Sequence, residues 1–330
     1  MSAVRWIAAV ALALAVTTVP AHAYLKFGVE VGGRTVAVRW PDGPIAYVVT
    51  DRDFGGISSR EFSAAIGRAT ATWARVPGLP VSFRDDGLSR SQPLDADGRS
   101  TIGFLDRPDQ ERVLGATTYL LDAATGALLE ADIYFNTRFR WSTATGGETG
   151  AVDLESVALH ELGHLLGLGH SALGETEPTG TGRRVVATAA IMFPIAWPAG
   201  SIADRGLQPD DIAGVRDLYG ALPASDFGSV QGRVTKDGRG VYGAHVVAAS
   251  LDTGALVASY TLTATGEFVI AGLPPGTYVL RAEPLDDVDV ESVFGGAAVD
   301  IAFRPAYARR LAVVQAGGAT SVIAIEVTPK

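Results

Sequence analysis

The stretch HELGHLLGLGHS, residues 160–171, holds three of the chain's five histidines, spaced four and then six apart. On a helix, His160 and His164 stand at i and i+4, so both imidazoles leave one face. That spacing lets two ring nitrogens reach a single zinc ion at about 2.0–2.1 Å. Glu161 lies one residue along, too tightly placed to ligate comfortably but able to reach a water held on the ion. Gly167 permits a sharp turn, after which His170 returns as a third nitrogen ligand. Three protein ligands leave a fourth position open for water. A zinc ion lowers the pKa of such water to about 7, and a neighbouring carboxylate can take its proton. The five-position pattern H-E-x-x-H-x-x-G-x-x-H is very improbable by chance and points to metal binding. His245 stands alone far downstream and is read as structural.

These side chains need a helix over residues 153–166. Asp153 suits its N-cap, Glu155 its first turn, and Gly167 its end. Leu162, Leu165 and Leu166 anchor that helix while the histidines face a cleft. Upstream, residues 34–51 read as a strand pair around a Pro-Asp-Gly turn. A helix follows from Ser58, which forms a capping box with Glu61 and places Phe62, Ile66, Ala69 and Trp73 on one face. Strands are predicted at 81–83, 101–105, 115–121 and 128–136. Downstream, a polar, Gly-rich loop runs from 172 to about 186. An apolar stretch, AAIMFP, spans 189–194, and a third helix begins near Pro209 and ends near Gly220. Residues 221–228 read as a linker. Beyond them no helical period remains, only short alternating runs divided by Gly, Pro and Asp turns. The expected fold class is α+β: a catalytic unit over 24–220, then an all-β sandwich over 229–330.

Composition narrows the functions. The chain has 330 residues, 47% hydrophobic and 19% charged, the balance of a folded protein. Its net charge is −9 with no basic stripe, which argues against nucleic acid as a partner. It has no cysteine, so a transition-metal site must use His, Asp and Glu. Residues 1–23 read as a signal peptide cleaved before Tyr24, with an uncleaved anchor as the alternative. Secretion to the extracellular or periplasmic side is expected, with no membrane span left after removal.

With Leu168, Ser171 and Met192, the zinc pattern resembles the matrixin group of the metzincin metalloproteases. Asp210, Asp211, Ile212, Gly214, Leu218, Tyr219 and Gly220 also match that family's last catalytic-domain helix. The resemblance implies a twisted mixed sheet with three helices, a cleft between the sheet and a Met-turn, and cleavage of peptide bonds in extended chains. It implies one catalytic zinc held by His160, His164 and His170. Glu161 would act as general base and then acid, and Met192 would pack beneath the site without ligating. Leu114, Gly115, Ala116 and Thr117 would belong to an edge strand that pairs with the protein or peptide substrate.

The chain departs from better-known members. Without cysteine it cannot carry a cysteine-switch propeptide. No histidine lies between residues 23 and 159, so a second, structural zinc held by three histidines and an aspartate cannot form. The segment GETEPTGTGRR lengthens the chain between His170 and Met192 and would border the cleft, or form a disordered surface insertion. Calcium is a further expectation, with Asp122, Glu130, Asp132 and the acids of FRDDG (83–87) as oxygen donors; hairpin turns explain the same acids.

The C-terminal part resembles the carboxypeptidase regulatory-like, transthyretin-like β-sandwich. Gly232, Val234, Gly243, Ala244, Val246, Gly266, Phe268, Ile270, Leu273, Pro274, Gly276, Tyr278 and Leu280 carry that likeness. It shows no catalytic constellation. The leading reading is a secreted zinc endopeptidase. The alternatives are a non-catalytic, zinc-stabilised binding or adhesion protein displaying the β-sandwich, and hydrolysis of a non-peptide amide.

Overall fold

The computed structural model describes residues 26–180, 182–220, 226–294 and 298–330. The signal-peptide reading of 1–23 and most of the linker reading of 221–228 lie outside them.

The first half is built on a five-stranded sheet. β1 (Gly28–Val31) and β2 (Arg34–Ala37) form a separate hairpin. β3 (Pro44–Thr50), β4 (Ser82–Ser89), β5 (Thr101–Leu105), β6 (Gly115–Leu121) and β7 (Leu128–Asn136) make the sheet, in the order β4-β3-β5-β7-β6. All its pairs are parallel except β6 with β7. The expected pairing of 34–40 with 45–51 is therefore corrected. β3 has parallel partners on both sides and is nearly continuously buried, as a central parallel strand must be. Alternation and a turn signal establish that a strand exists, not which neighbour it takes.

α1 (Ser59–Ala74) starts at the Ser58–Glu61 capping box and buries Phe62, Ile66, Ala69 and Trp73. Each such large apolar side chain stabilises the fold by roughly 1.5–3 kcal/mol. Trp73 also donates from its indole to the Leu159 carbonyl, 2.9 Å away, which fixes α1 against α2 (Leu154–Leu165). Between sheet and α2, β8 (Trp141–Ser142) pairs in parallel with β9 (Val152–Asp153). Asp153 caps α2 by accepting from the Ser156 amide and is braced by Arg205. After the site, β10 (Gly174–Thr179) and β11 (Gly182–Thr188) form an antiparallel hairpin where a loop was expected. Most of its side chains are exposed, Val185 being buried, so composition resembles a loop while backbone pairing makes a ribbon. α3 (Pro209–Tyr219) closes this half.

The second half is a sandwich of two sheets. One holds β12 (Gly228–Lys236), β13 (Arg239–Gly240), β16 (Glu267–Leu273), β18 (Phe303–Arg304) and β21 (Ile323–Pro329). The other holds β14 (His245–Ser250), β15 (Leu256–Tyr260), β17 (Gly276–Glu283), β19 (Ala306–Tyr307) and β20 (Ala312–Val314). The all-β expectation needs one correction, a helix α4 (Asp287–Phe294) between β17 and β18. Its sequence DVDVESVF alternates like a strand. Packing of Val293 and Phe294 with Tyr260 and Leu285 outweighs that local preference.

The halves pack closely. Gly272, at φ +67°, lets the end of β16 touch α3; a Cβ there would lie 2.7 Å from the Ala213 carbonyl oxygen. Leu173 and Ala190 of the first half share an apolar cluster with Val247 and Ala258 of the second.

Candidate metal centre

α2 carries His160 and His164, and the turn after it returns His170. The turn depends on Gly167, whose φ of +98° lies in the region open to glycine. A Cβ there would also lie 2.3 Å from the Val38 carbonyl oxygen.

Each imidazole is oriented by a backbone carbonyl through its Nδ1. His160 meets Ile191 at 2.7 Å, His164 meets Leu168 at 2.8 Å, and His170 meets Ser292 at 3.1 Å. A carbonyl only accepts, so each Nδ1 carries the proton and each Nε2 presents a lone pair. In that tautomer the 3.2 Å separation of His164 Nε2 and His170 Nε2 brings two lone pairs together with no proton between them. A shared cation resolves the repulsion. Nitrogens about 2.0–2.1 Å from one tetrahedral zinc lie about 3.3 Å apart, so the donor set fits zinc. One ligand atom from each of the three residues lies within 4.8 Å of the others. Burial holds all three histidines below the ordinary imidazole range, His160 down to about 3. The neutral ring is the form that binds a metal.

Glu161 is 4% exposed. Its carboxylate accepts from the Thr117 hydroxyl on β6 at 2.8 Å, and its main-chain oxygen lies 3.0 Å from the same hydroxyl. Burial pushes its pKa up to about 7, against the opposing pull of Thr117. Gly115 faces the same carboxylate; a Cβ there would lie 3.4 Å from Glu161 Oε1 and 2.9 Å from the Tyr134 carbonyl oxygen. Leu114, Gly115, Ala116 and Thr117 thus lead into and form the start of β6, the sheet edge beside α2.

Met192 is buried and packs beneath α2 against Gly163, where a Cβ would lie 2.2 Å from Met192 Sδ. Gly163 was not singled out in the sequence, although a glycine inside a helix pattern, at a cost near 1 kcal/mol, is the signal for such close approach. The acids of α3 match the family's last helix in the sequence, but what they bind is visible only in the fold. Asp211 accepts from the amides of Ile191 at 2.9 Å, Met192 at 3.2 Å and Gln208 at 2.8 Å. It therefore holds the Met-turn in place. Asp210 accepts from the Ser171 hydroxyl and from the Ala258 amide, both at 2.8 Å. Tyr119 on β6 donates to the His164 carbonyl at 2.9 Å.

His245 takes no part in the triad; its Nδ1 lies 3.1 Å from Glu283 Oε1 and its ring stacks on Tyr260. Among the acids considered for calcium, Glu130 accepts from the Gly98 amide, Asp132 from Leu94 and Thr101, Asp122 from Ala124 and Asp85 from Gly87, while Asp86 pairs with Arg84. Among the described residues, the histidine triad is the one group of three or more His, Asp or Glu whose ligand atoms converge.

Comparison with known proteins agrees with this geometry. The matrixin family model matches residues 39–220, and the carboxypeptidase regulatory-like domain model matches 229–291. Metalloendoproteinase 5-MMP of Arabidopsis thaliana is 45% identical over 184 residues, which is 51% of this chain and 42% of that protein. Metalloendoproteinase 1-MMP of the same plant is 30% identical over 56% of this chain and 45% of its own length. Rat stromelysin-2 is 29% identical over 60% of this chain and 37% of its own. The chain thus spans less than half the length of these relatives. The matrixin match covers more than half of the chain and includes the helix, the turn, Met192 and the acids of α3, so the protein belongs to the matrixin family.

Proposed function

We propose that this chain is a zinc-dependent endopeptidase in which His160, His164 and His170 hold the ion and Glu161 is the general base. The observation that carries this reading is a carboxylate buried on the zinc-site helix, between two converging histidines and hydrogen-bonded to the edge strand. A protein that only binds or adheres has no need of a charge-bearing group there, where burial alone costs several kcal/mol unless it is used or paired.

Zinc, when bound, supplies the Lewis acidity that polarises the scissile carbonyl and lowers the pKa of water to about 7. Glu161 takes the proton of the attacking water and later delivers it to the leaving amine. Thr117 keeps that carboxylate turned toward the site. The extended substrate lies along β6, which has β7 on one side and ends the sheet on the other, and adds to it by backbone hydrogen bonds. The amides of Gly115 and Thr117 face away from β7, so a Thr117→Pro change removes an amide from that edge and raises KM beyond the effect of losing the hydroxyl. Residues 24–220 are the catalytic unit, 229–330 the β-sandwich. The composition of residues 1–23 supports secretion, and among the described residues no helix is long and apolar enough to cross a membrane.

The test is zinc content together with proteolysis. The purified chain should bind one zinc and cut an unfolded protein, with activity lost to a chelator. Glu161→Ala should keep the zinc and abolish cleavage. A wild-type chain that holds zinc yet cuts no unfolded protein would leave the binding or adhesion reading in its place.

A further inference from the structure

The acceptor that orients His170 comes from the other half of the chain. His160 and His164 take their carbonyls from Ile191 and Leu168, close to the site in the same half. His170 takes the carbonyl of Ser292, 122 residues downstream in α4. Among the described residues α4 reaches Phe294, so Ser292 lies within its last four, where a carbonyl has no amide partner inside the described helix. The helix terminus also carries partial negative charge, which favours a donated N–H.

Several contacts hold α4 at this place. Ala172 packs in one cluster with Tyr260, Leu285, Val293 and Phe294. The rings of Tyr260 and Phe294 meet edge to face with centroids 5.6 Å apart. Arg183 of β11 pairs with Asp286, just before the helix, at 2.8 Å. Asp210 binds Ser171 and Ala258 together across the same boundary. Residues 170–172 are thus gripped by the β-sandwich on several sides.

We infer that the β-sandwich is part of the metal centre, with the Ser292 carbonyl as the positioning group that fixes the tautomer of His170 and strengthens it as the third ligand. The inference rests on the zinc reading above. Second partners of this kind set ring orientation and basicity, and their loss typically costs 10–100-fold in metal affinity.

The test uses the full chain. In the zinc-loaded protein, ¹⁵N-histidine NMR should show three protected imidazole Nδ1–H groups within the triad. Replacing Asp287–Phe294 by a glycine–serine segment of equal length should remove one of the three. It should also raise the zinc Kd, read by competition with a chromophoric chelator, about 10–100-fold. Where that replacement disturbs folding, Phe294→Ala should shift Kd the same way by less, and the NMR count on the unaltered chain decides independently. Only two protected groups in the wild type, or a zinc Kd within twofold of wild type in the folded replacement, overturns the inference and leaves the zinc site standing. A wild-type chain that binds no zinc overturns both.

Discussion

The Thr117 hydroxyl on β6 lies 2.8 Å from the Glu161 carboxylate on α2, joining the edge strand to the buried acid across 44 residues of sequence. One side chain thereby serves two elements: its backbone belongs to the sheet edge, and its hydroxyl sets the direction of the carboxylate. Thr117→Val keeps the shape and removes the donor. Steady-state kinetics should show kcat/KM lower by roughly 10–100-fold, since a hydrogen bond to a charged group is worth about 1.5–3 kcal/mol. Zinc content should not change, and Thr117→Ser should stay within a few-fold of wild type. Equal activity in the valine variant would remove Thr117 from the site.

Gly163 and Met192 form the floor under the histidines. Gly163→Ala sets a methyl 2.2 Å from Met192 Sδ, and 3.1 Å from Trp73, so the floor must move. Overpacking of about 1–3 kcal/mol should exceed the gain of up to about 1 kcal/mol from better helix propensity. Thermal unfolding should show a lower Tm, and chelator competition a weaker zinc site. Adding Met192→Ala should recover part of the metal affinity, because it vacates the space.

Asp211 satisfies three backbone amides at once, two of them buried and the third half-buried. Asp211→Ala should cost at least about 3 kcal/mol, from unsatisfied donors alone. That corresponds to a fall in Tm of roughly 6–12 °C for a unit of this size. Asp211→Asn retains one acceptor oxygen and should fall between the two.

Asp132 supplies a pH test away from the metal. It is 2% exposed, and burial pushes its pKa up to about 7 despite the amides of Leu94 and Thr101. The folded state therefore holds a proton that the unfolded chain has already released between about pH 4 and pH 7. Asp132's contribution to stability is present below about pH 4 and is lost as pH rises to 7, after which it is flat. Stability of the wild type relative to Asp132→Asn should fall by on the order of 2–4 kcal/mol across that window. Denaturant midpoints of both proteins at pH 4.5, 6 and 8 measure it; parallel curves would contradict it.

Chelation should also destabilise the chain. Three neutral imidazoles converge in the folded state alone, so zinc stabilises by mass action, about 2.7 kcal/mol at a hundredfold excess over Kd. Differential scanning with and without chelator should separate the two midpoints. Coincident midpoints would show that the triad holds no ion.

Much of this architecture is legible locally. The capping box at Ser58 and the helix behind Asp153 depend on contacts within a few residues, and the strands at 101–105, 115–121 and 128–136 show in their apolar runs although β5 takes its partners from distant segments. The turn at Gly167 depends on a conformation that one residue type favours. Spacing alone carries the pairing of His160 with His164. Three elements were not legible. β2 pairs with β1 because β3 already has two neighbours. The polar hairpin β10–β11 is a matter of backbone bonding that composition does not record. α4 alternates like a strand and becomes a helix through what its apolar side chains meet.

The sequence by itself determined the kind of chemistry, since residue types and short-range periodicity dictate which nitrogens can share a face and which acid stands beside them. Only the tertiary structure decided which distant groups hold those atoms: Thr117 on Glu161, Asp211 under the Met-turn, and the Ser292 carbonyl on His170. Those partners are 20 to 122 residues away, and no local pattern marks them, because a hydrogen bond between distant segments exists only after the apolar surfaces around it have closed.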